Sequence, residues 1–194
     1  MDGGMNQRMG PGLNVATPQA YRDGMAHVAG HVHVITTAGA AGTSGFTAIA
    51  VASVSDDPPT LLVCLNRKSV NGDLIARNGV FAVNALPAGA ENVAETFAGR
   101  TGLTGAARFA VGAWTPLVTG APTLDMALAA FDCRLIEMKP MATHAIIIGQ
   151  VEAVRIGPAG AALAYFDRAY RPIPAEPPLT RAPARPAGAG RGGR

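Results

Sequence analysis

Four consecutive polar residues, Asn66-Arg67-Lys68-Ser69, are the first candidates for chemistry, because they stand between an apolar run and a short amphipathic segment. At such a place a strand ends and a helix begins, and the first N–H groups of a helix lack partners within it. Two cations, a hydroxyl and these N–H groups can together bind an anion such as a phosphate. A solvated strand end in which Ser69 caps the helix would carry the same residues, so both interpretations stay open.

The segment 45–55, GFTAIAVASVS, is a second candidate because small side chains and hydroxyls dominate it. Small side chains would let a flat ring lie against backbone N–H and C=O groups, while Ser and Thr hydroxyls hydrogen-bond a ribityl chain or a phosphate. Close packing of a sheet would favour the same residues. The segment therefore fits both a ligand site and a packed strand.

Histidines stand on two predicted strands. His144, after Thr143, opens one strand and would point an imidazole at the end of a barrel, although a structural role would also explain it. His31 and His33 would share one face of another strand, but no third ligand is evident nearby, so we expect no metal. The sequence has no motif typical of zinc proteases, dithiol redox proteins, serine hydrolases or phosphate loops. These observations favour a protein that takes its reactivity from a cofactor.

The hydrophobic pattern predicts that strands outnumber helices among the elements that hold these residues. We predict strands at 31–37, 46–54, 60–66, 80–86, 127–138, 143–156 and 162–166. Helices are predicted from Pro18, with Thr17 as N-cap and Gly30 as the end, and at 70–77 and 90–98. Residues 99–123 are predicted to be irregular. Too little helix separates the strands for repeated βαβ crossovers, so the sequence favours a mainly β fold closed into a barrel.

The strand predicted at 127–138 alternates between apolar and polar residues, which is typical of an antiparallel sheet. Its side chains are predicted to point alternately inward (Phe131, Cys133 and Leu135) and outward (Asp132, Arg134 and Glu137).

Length and composition bound the class of protein. The chain has 194 residues, of which 48% are hydrophobic and only 15% charged, so much apolar surface must be buried inside it or between subunits. We expect one domain at 17–172, with disordered tails at 1–16 and 173–194 because both ends are aperiodic and rich in Gly, with Met or with Pro and Arg. Cys64 and Cys133 lie in apolar runs and are expected to be reduced thiols.

The positive charge is concentrated at the C-terminal end. Residues 1–170 hold 11 Lys and Arg against 12 Asp and Glu, whereas residues 171–194 hold 5 Arg and a single Glu. A basic tail without aromatic residues has no base-stacking platform, so we expect no specific nucleic-acid binding. No apolar run approaches the roughly 20 residues that span a bilayer, and the N-terminus lacks a secretory pattern. We therefore expect a cytoplasmic protein without a membrane segment.

Six segments together carry a resemblance to one family. They are GFTAIAVASVSDDPPTLLVCLNRKS at 45–69, GVFAVNAL at 79–86, AETFAG at 94–99, AFDCRLIE at 130–137, THAIIIGQV at 143–151 and AYFDRAY at 164–170. In this order and spacing they resemble the short-chain flavin reductases, the small partners of two-component flavin monooxygenases. Within that family the chain is similar to the flavin reductases of bacterial pyrimidine utilisation and to those serving 4-hydroxyphenylacetate monooxygenase.

The resemblance implies an FMN-binding split β-barrel that forms a homodimer and holds FMN or FAD near the subunit interface, with NADH or NADPH bound transiently. The residues that match the family's flavin contacts would be Thr47, Ala48, Ala50, Ser53 and Ser55 along the isoalloxazine and ribityl, Asn66, Arg67 and Ser69 at the phosphate, and Phe97 and Ala98 close to the flavin. His144 matches a histidine associated with the nicotinamide, and Tyr170 lies in the closing motif near it.

Three functions follow from this resemblance. The first is an NAD(P)H:flavin oxidoreductase that supplies reduced flavin to a partner monooxygenase. The second is a flavin-bearing reductase of another acceptor, such as a cob(II)yrinate-type corrin, and the third is a non-catalytic barrel that binds flavin. The sequence does not choose between FMN and FAD, between NADH and NADPH, or between flavin as substrate and flavin as prosthetic group.

Overall fold

Strands dominate the computed structural model, which describes residues 15–175. Its strands are β1 Gly30–His31, β2 His33–Thr37, β3 Ser44–Ala48, β4 Val51–Asp56, β5 Pro59–Asn66, β6 Val80–Ala85, β7 Trp114–Pro116, β8 Pro122–Leu124, β9 Ala129–Met141, β10 His144–Ile156, β11 Ala162–Phe166 and β12 Ala169–Ile173. Its α-helices are α1 Pro18–Ala26, α2 Asn71–Asn78 and α3 Glu91–Phe97, and a 3₁₀-helix spans Gly105–Ala110. The prediction of a mainly β fold with few, short helices is confirmed. The predicted tails, 1–16 and 173–194, lie almost entirely outside the described residues.

Seven of the strands form one antiparallel sheet in the order β3-β2-β6-β9-β10-β5-β4. The two end strands, β3 and β4, are neighbours in the chain and are joined only by Ile49 and Ala50. β3 pairs with β2 and β4 pairs with β5. No ladder pairs β3 with β4 among the described residues, so the sheet curves back on itself without closing. The single strand predicted at 46–54 is therefore wrong, because the chain changes from one end of the sheet to the other within it.

The core lies on both faces of this sheet. Inside the curve, large side chains from several strands meet, including Ile35, Phe81 and Ile147, each of which is fully buried. On the other face, α3 packs Val93 and Phe97 against β2. Neighbouring residues of β2 alternate between these two clusters, as the two-residue period of a strand requires. This alternation fixes β2 as the wall that separates the two halves of the core.

The hairpin of β9 and β10 occupies the middle of the sheet and confirms the predicted antiparallel pairing. Gly149 is required there, because a Cβ at this position would stand 2.4 Å from Cζ of Phe81. The predicted outward orientation of Asp132 is wrong, since its side chain is fully buried. Its carboxylate accepts hydrogen bonds from the N–H of Thr119, at 2.7 Å, and from the Thr119 hydroxyl. A loop that the alternation pattern does not reveal covers this face of β9.

Three other segments differ from the predictions. The strand predicted at 31–37 is divided at Val32, because β1 pairs with β11 whereas β2 pairs with β3 and β6. The stretch predicted to be irregular contains the 3₁₀-helix and the β7–β8 hairpin. β12 extends the small β1-β11-β12 sheet, and its residues were not predicted as a strand. The Thr17 cap is confirmed, since its hydroxyl oxygen accepts from the N–H of Ala20 at 3.1 Å.

None of the described helices is long and apolar enough to cross a membrane. Within residues 15–175 no group of three or more His, Cys, Asp or Glu side chains is placed to hold a metal ion.

Candidate functional site

A cleft of about 1010 Å³ opens where the two ends of the seven-stranded sheet come together. Its walls come from β3 and the link to β4, from the end of β5 and the start of α2, from the end of α3, from the 3₁₀ segment and from the start of β10. The structure brings eight of the predicted site residues to this cleft: Thr47, Ala48, Ala50, Asn66, Ser69, Phe97, Ala98 and His144. These residues are far apart in the sequence, so the cleft depends on the sheet topology.

Close packing against neighbouring elements, as well as space for a ligand, explains the small residues on the β3 wall of the cleft. A Cβ on Gly45 would lie 2.6 Å from the carbonyl oxygen of Ile35 and 2.8 Å from Cε1 of Phe97. The hydroxyl of Thr47 donates to the carbonyl oxygen of Ala94 in α3, at 2.6 Å. That proton is therefore already used inside the protein. Only the acceptor lone pairs of Thr47 remain for a ligand.

The anion-binding candidates form a turn between β5 and α2. Asn66 Oδ1 accepts from the N–H of Lys68 at 3.0 Å, and Ser69 Oγ accepts from the side-chain amide of Asn71 at 2.8 Å. Val70, rather than Ser69, occupies the N-cap position of α2. Arg67 lies beside the cleft, in an adjoining cavity of about 500 Å³, and its guanidinium donates to the carbonyl oxygen of Ala142 at 3.1 Å.

Asn71 is a cleft residue that the sequence analysis missed. Its side chain is only 5% exposed and lines the cleft wall, yet its Oδ1 has no hydrogen-bond partner among the described residues. A buried polar atom without a partner is costly, and a ligand that hydrogen-bonds it would remove that cost. The only sequence signal was its place two residues beyond Ser69, inside the predicted helix start.

His144 stands next to the anion-binding turn because of strand register. It is the first residue of β10 and pairs directly with Asn66 of β5. Its Nδ1 lies 2.8 Å from the hydroxyl oxygen of Thr143. This contact orients the ring through Nδ1 and does not involve Nε2. The imidazole is exposed on the cleft wall and free to meet a second molecule entering from solvent.

Three predicted site residues lie outside the cleft of this chain. Ser53 is exposed on β4, and Ser55 uses its hydroxyl in a local turn, donating to the carbonyl oxygen of Asp57 at 3.0 Å. Tyr170 packs against Tyr165 with ring centroids 5.5 Å apart. Burial, and then the neighbouring Glu95 carboxylate, raise the pKa of Tyr170 to about 12. This tyrosine therefore stays protonated and serves the packing of β12 in this chain.

The cleft is positively charged. Among the described residues its lining includes the cations Lys68 and Arg108 and no Asp or Glu. The Arg108 guanidinium donates to the carbonyl oxygens of Gly45 and Leu103, each at 3.0 Å. The sequence analysis missed Arg108 because it lies in the stretch predicted to be irregular. A cleft of this kind favours a ligand that carries negative charge and an apolar, flat part.

Comparisons with known proteins identify the family to which this chain is similar. The family model for the flavin reductase like domain matches residues 25–174. The chain is 47% identical to the FMN reductase (NADH) RutF of Methylorubrum extorquens over 172 residues, which are 89% of this chain and 83% of the relative.

Two solved structures are also similar. A putative flavin reductase from Haemophilus somnus matches with a TM-score of 0.77 at 39% identity, covering 81% of this chain and 99% of its own. BorF, the flavin reductase component of a bacterial two-component tryptophan halogenase, matches with a TM-score of 0.77 at 28% identity, covering 82% of this chain and 100% of its own.

Proposed function

Because this chain belongs to the flavin reductase-like family, we propose that it is an NADH-dependent flavin reductase whose flavin substrate is FMN. The observation that carries the proposal is the 47% identity, over 89% of the chain, to a protein named FMN reductase (NADH). That similarity also favours FMN over FAD and NADH over NADPH. The matched region contains every residue that lines the cleft except Tyr21.

The residues of the cleft fit a flavin mononucleotide. The turn at 66–71 offers the Ser69 hydroxyl and the Lys68 ammonium for a phosphate, whereas the N–H groups of residues 67–69 already donate within the protein. The unpartnered Asn71 Oδ1 offers an acceptor for a hydroxyl of the ribityl chain. The small residues Ala48 and Ala50, together with Phe97, offer a wall for a flat ring. A lining without carboxylates avoids repulsion of the phosphate.

We assign roles to the predicted residues on this basis. Thr47, Ala48, Ala50, Phe97 and Ala98 would border the isoalloxazine, and Asn66, Arg67 and Ser69 would serve the phosphate end. His144 would bind the nicotinamide nucleotide, since it stands on the exposed wall beside the flavin pocket.

We further propose a homodimer with a split-barrel fold. Several large apolar side chains on strands of the large sheet are exposed, including Val54, Ile136 and Ile156, and a second subunit would cover them. Ser53, Ser55 and Tyr170 lie outside this chain's own cleft. In a dimer they would reach a flavin only across the interface.

In the mechanism that we propose, the chain acts by positioning. A bound flavin would supply the electron-accepting chemistry by taking hydride from NADH. The small residues of β3 would border its ring, and His144, on the exposed wall of the cleft, would bind the nucleotide. No side chain needs to donate a proton in the hydride step, so alignment of the two reactants is the main contribution of the protein.

We propose that the reduced flavin leaves for a separate monooxygenase. The similar protein BorF is described as the flavin reductase component of a two-component system, which supports this proposal. A cleft that is open to solvent suits moderate affinity and therefore release.

The test is NADH oxidation by the purified protein with graded FMN, after its visible spectrum has been recorded without added flavin. We expect saturable oxidation that depends on added FMN, with slower oxidation when NADPH or FAD is substituted. A protein that contains tightly bound flavin and turns over only with another acceptor would contradict the release of flavin. A protein with neither bound flavin nor activity would contradict the proposed function.

A further inference from the structure

Arg108 ties together three segments that are distant in the sequence. Its Nη1 donates to the carbonyl oxygen of Gly45 at 3.0 Å and to that of Phe97 at 3.5 Å, and its Nε donates to that of Leu103 at 3.0 Å. Gly45 belongs to β3, Phe97 ends α3, and Leu103 lies in the loop that follows α3. Each of these segments forms or adjoins one wall of the cleft.

The charge of Arg108 is balanced by these carbonyl groups and not by an acid. None of the ion pairs within residues 15–175 involves Arg108. A cation on the last carbonyl of a helix is favoured by the helix dipole, and here it meets the carbonyl end of α3. The guanidinium therefore has a local reason to stay on this wall.

A second link joins the same two elements. The Thr47 hydroxyl of β3 donates to the carbonyl oxygen of Ala94, one turn before the end of α3. Thr47 and Arg108 thus attach the end of α3 to β3 at two points, and both of them line the cleft together with Phe97 and Ala98. The anion-binding turn at 66–71 belongs to a different wall, built from β5 and α2.

We infer that Arg108 is a positioning residue that fixes the cleft wall formed by Phe97 and Ala98 against β3. It thereby sets the width of the part of the cleft that receives the flavin ring. The inference rests on the proposed function. Arginine suits this role because its rigid planar fork carries donors in several directions at once. A lysine ammonium at the same place could not reach the carbonyl oxygens of Gly45, Phe97 and Leu103 in one geometry.

The role makes a specific prediction for ligands with and without a phosphate. If Arg108 fixes the wall beside the ring, its loss weakens the binding of FMN and of riboflavin by the same factor, because the two ligands share the ring and differ in the phosphate. If its free donors instead bound the phosphate, only FMN would be weakened. Lys68→Ala is the reference for that second behaviour, since Lys68 lines the cleft beside the anion-binding turn.

The wall also has a built-in reporter. Trp114 is the single tryptophan of the chain, and its ring centroid lies 5.3 Å from that of Phe97 and 5.1 Å from that of Phe109. A change in the position of Phe97 should therefore alter the emission of Trp114 even without flavin. The same fluorescence measurement can follow flavin binding, through the quenching of this tryptophan.

The experiment measures Kd for FMN and for riboflavin with the full chain and with Arg108→Lys, Arg108→Gln and Lys68→Ala. Arg100→Lys is the matched control, because Arg100 lies just after α3, outside the cleft, in an exposed ion pair with Glu95. We expect both Arg108 variants to raise both Kd values about tenfold, as expected for the loss of one or two charge-assisted hydrogen bonds. We expect Lys68→Ala to raise Kd for FMN only, and Arg100→Lys to change neither.

Thr47→Val provides a second variant in case the Arg108 variants do not fold. It keeps the size of the side chain, removes the other link to α3, and should also raise both Kd values equally. A rise for FMN alone, no change for either ligand, or full retention of affinity by Arg108→Lys but not by Arg108→Gln would each overturn the inference. If the unaltered chain binds neither flavin, the proposed function fails first, and the inference with it.

Discussion

Gly45→Ala is the substitution for which the structure gives the most specific expectation. The added methyl would lie 2.6 Å from the carbonyl oxygen of Ile35 and 2.8 Å from Cε1 of Phe97. A relaxed carbon–oxygen contact needs about 3.3 Å or more, so β3 must move away from β2 by roughly 0.7 Å or tilt. The Phe97 ring must move by a similar distance, into the cleft or toward Trp114.

The magnitude follows from two opposing terms. Overpacking of a well-filled site costs about 1–3 kcal/mol, and here one of the two obstacles is backbone that cannot rotate away. Replacing glycine by alanine in a strand returns about 0.5–1 kcal/mol of backbone entropy. We expect a net loss of about 2 kcal/mol in the free energy of unfolding, which lowers Tm by about 4–8 °C for a domain of this size.

The assay is thermal unfolding with and without FMN, together with Kd for FMN. Gly24→Ala is the matched control, because Gly24 lies in α1 with no atom within 4 Å of its added Cβ. That control should stabilise by about 0.5–1 kcal/mol and leave Kd unchanged. A Gly45→Ala protein with unchanged Tm and unchanged Kd would refute the packing argument for the β3 wall.

Three further predictions concern histidines and a buried acid. His144→Ala should raise KM for NADH while leaving Kd for FMN unchanged, and unaltered KM and kcat would remove the proposed role of His144 in steady-state assays. Burial, and then the neighbouring His31, lower the pKa of His33 to about 4, and its Nδ1 has no partner among the described residues. Protonation of His33 therefore favours the unfolded chain, and the stability of the fold should fall as the pH drops from about 6.5 to about 4. His33→Gln should flatten that part of a curve of Tm against pH. An unchanged slope would contradict the assignment to His33. Asp132→Asn should lower the free energy of unfolding, measured in urea, by about 2–4 kcal/mol, because the carboxylate that accepts from both Thr119 donors is fully buried. A loss under about 0.5 kcal/mol would mean that the loop around Thr119 moves away freely.

Local sequence patterns predicted a strand well where the whole predicted segment pairs with the same neighbouring strands. β5, β6, β10 and β11 all occur within two residues of the predicted bounds, because β-branched runs and breaking residues at both ends mark them. The break between β3 and β4 left no such mark. Residues 46–54 contain no Gly, Pro or charged residue that would mark a break, and the chain leaves the sheet at Ile49 because of the topology.

The candidate site was predictable only for residues that carry a chemical signal of their own. Asn66 and Ser69 were predicted from charge and position, and the structure brings both to the cleft together with His144. Asn71 and Arg108 carry no such signal, since an amide at a helix start and an arginine in a Gly-rich stretch are common in sequences without any ligand site. Their importance comes from neighbours that are close only after folding.

The central β9–β10 hairpin has a consequence for the order in which the molecule assembles. Only Ala142 and Thr143 separate its two strands, so their pairing closes a short loop, and the other strands of the large sheet add outward from it. We expect this hairpin to be formed in the folding transition state, with φ-values well above those of β3 and β4 at the two ends. The cleft would then be completed after the rate-limiting step, and a bound ligand should slow unfolding while hardly changing the folding rate.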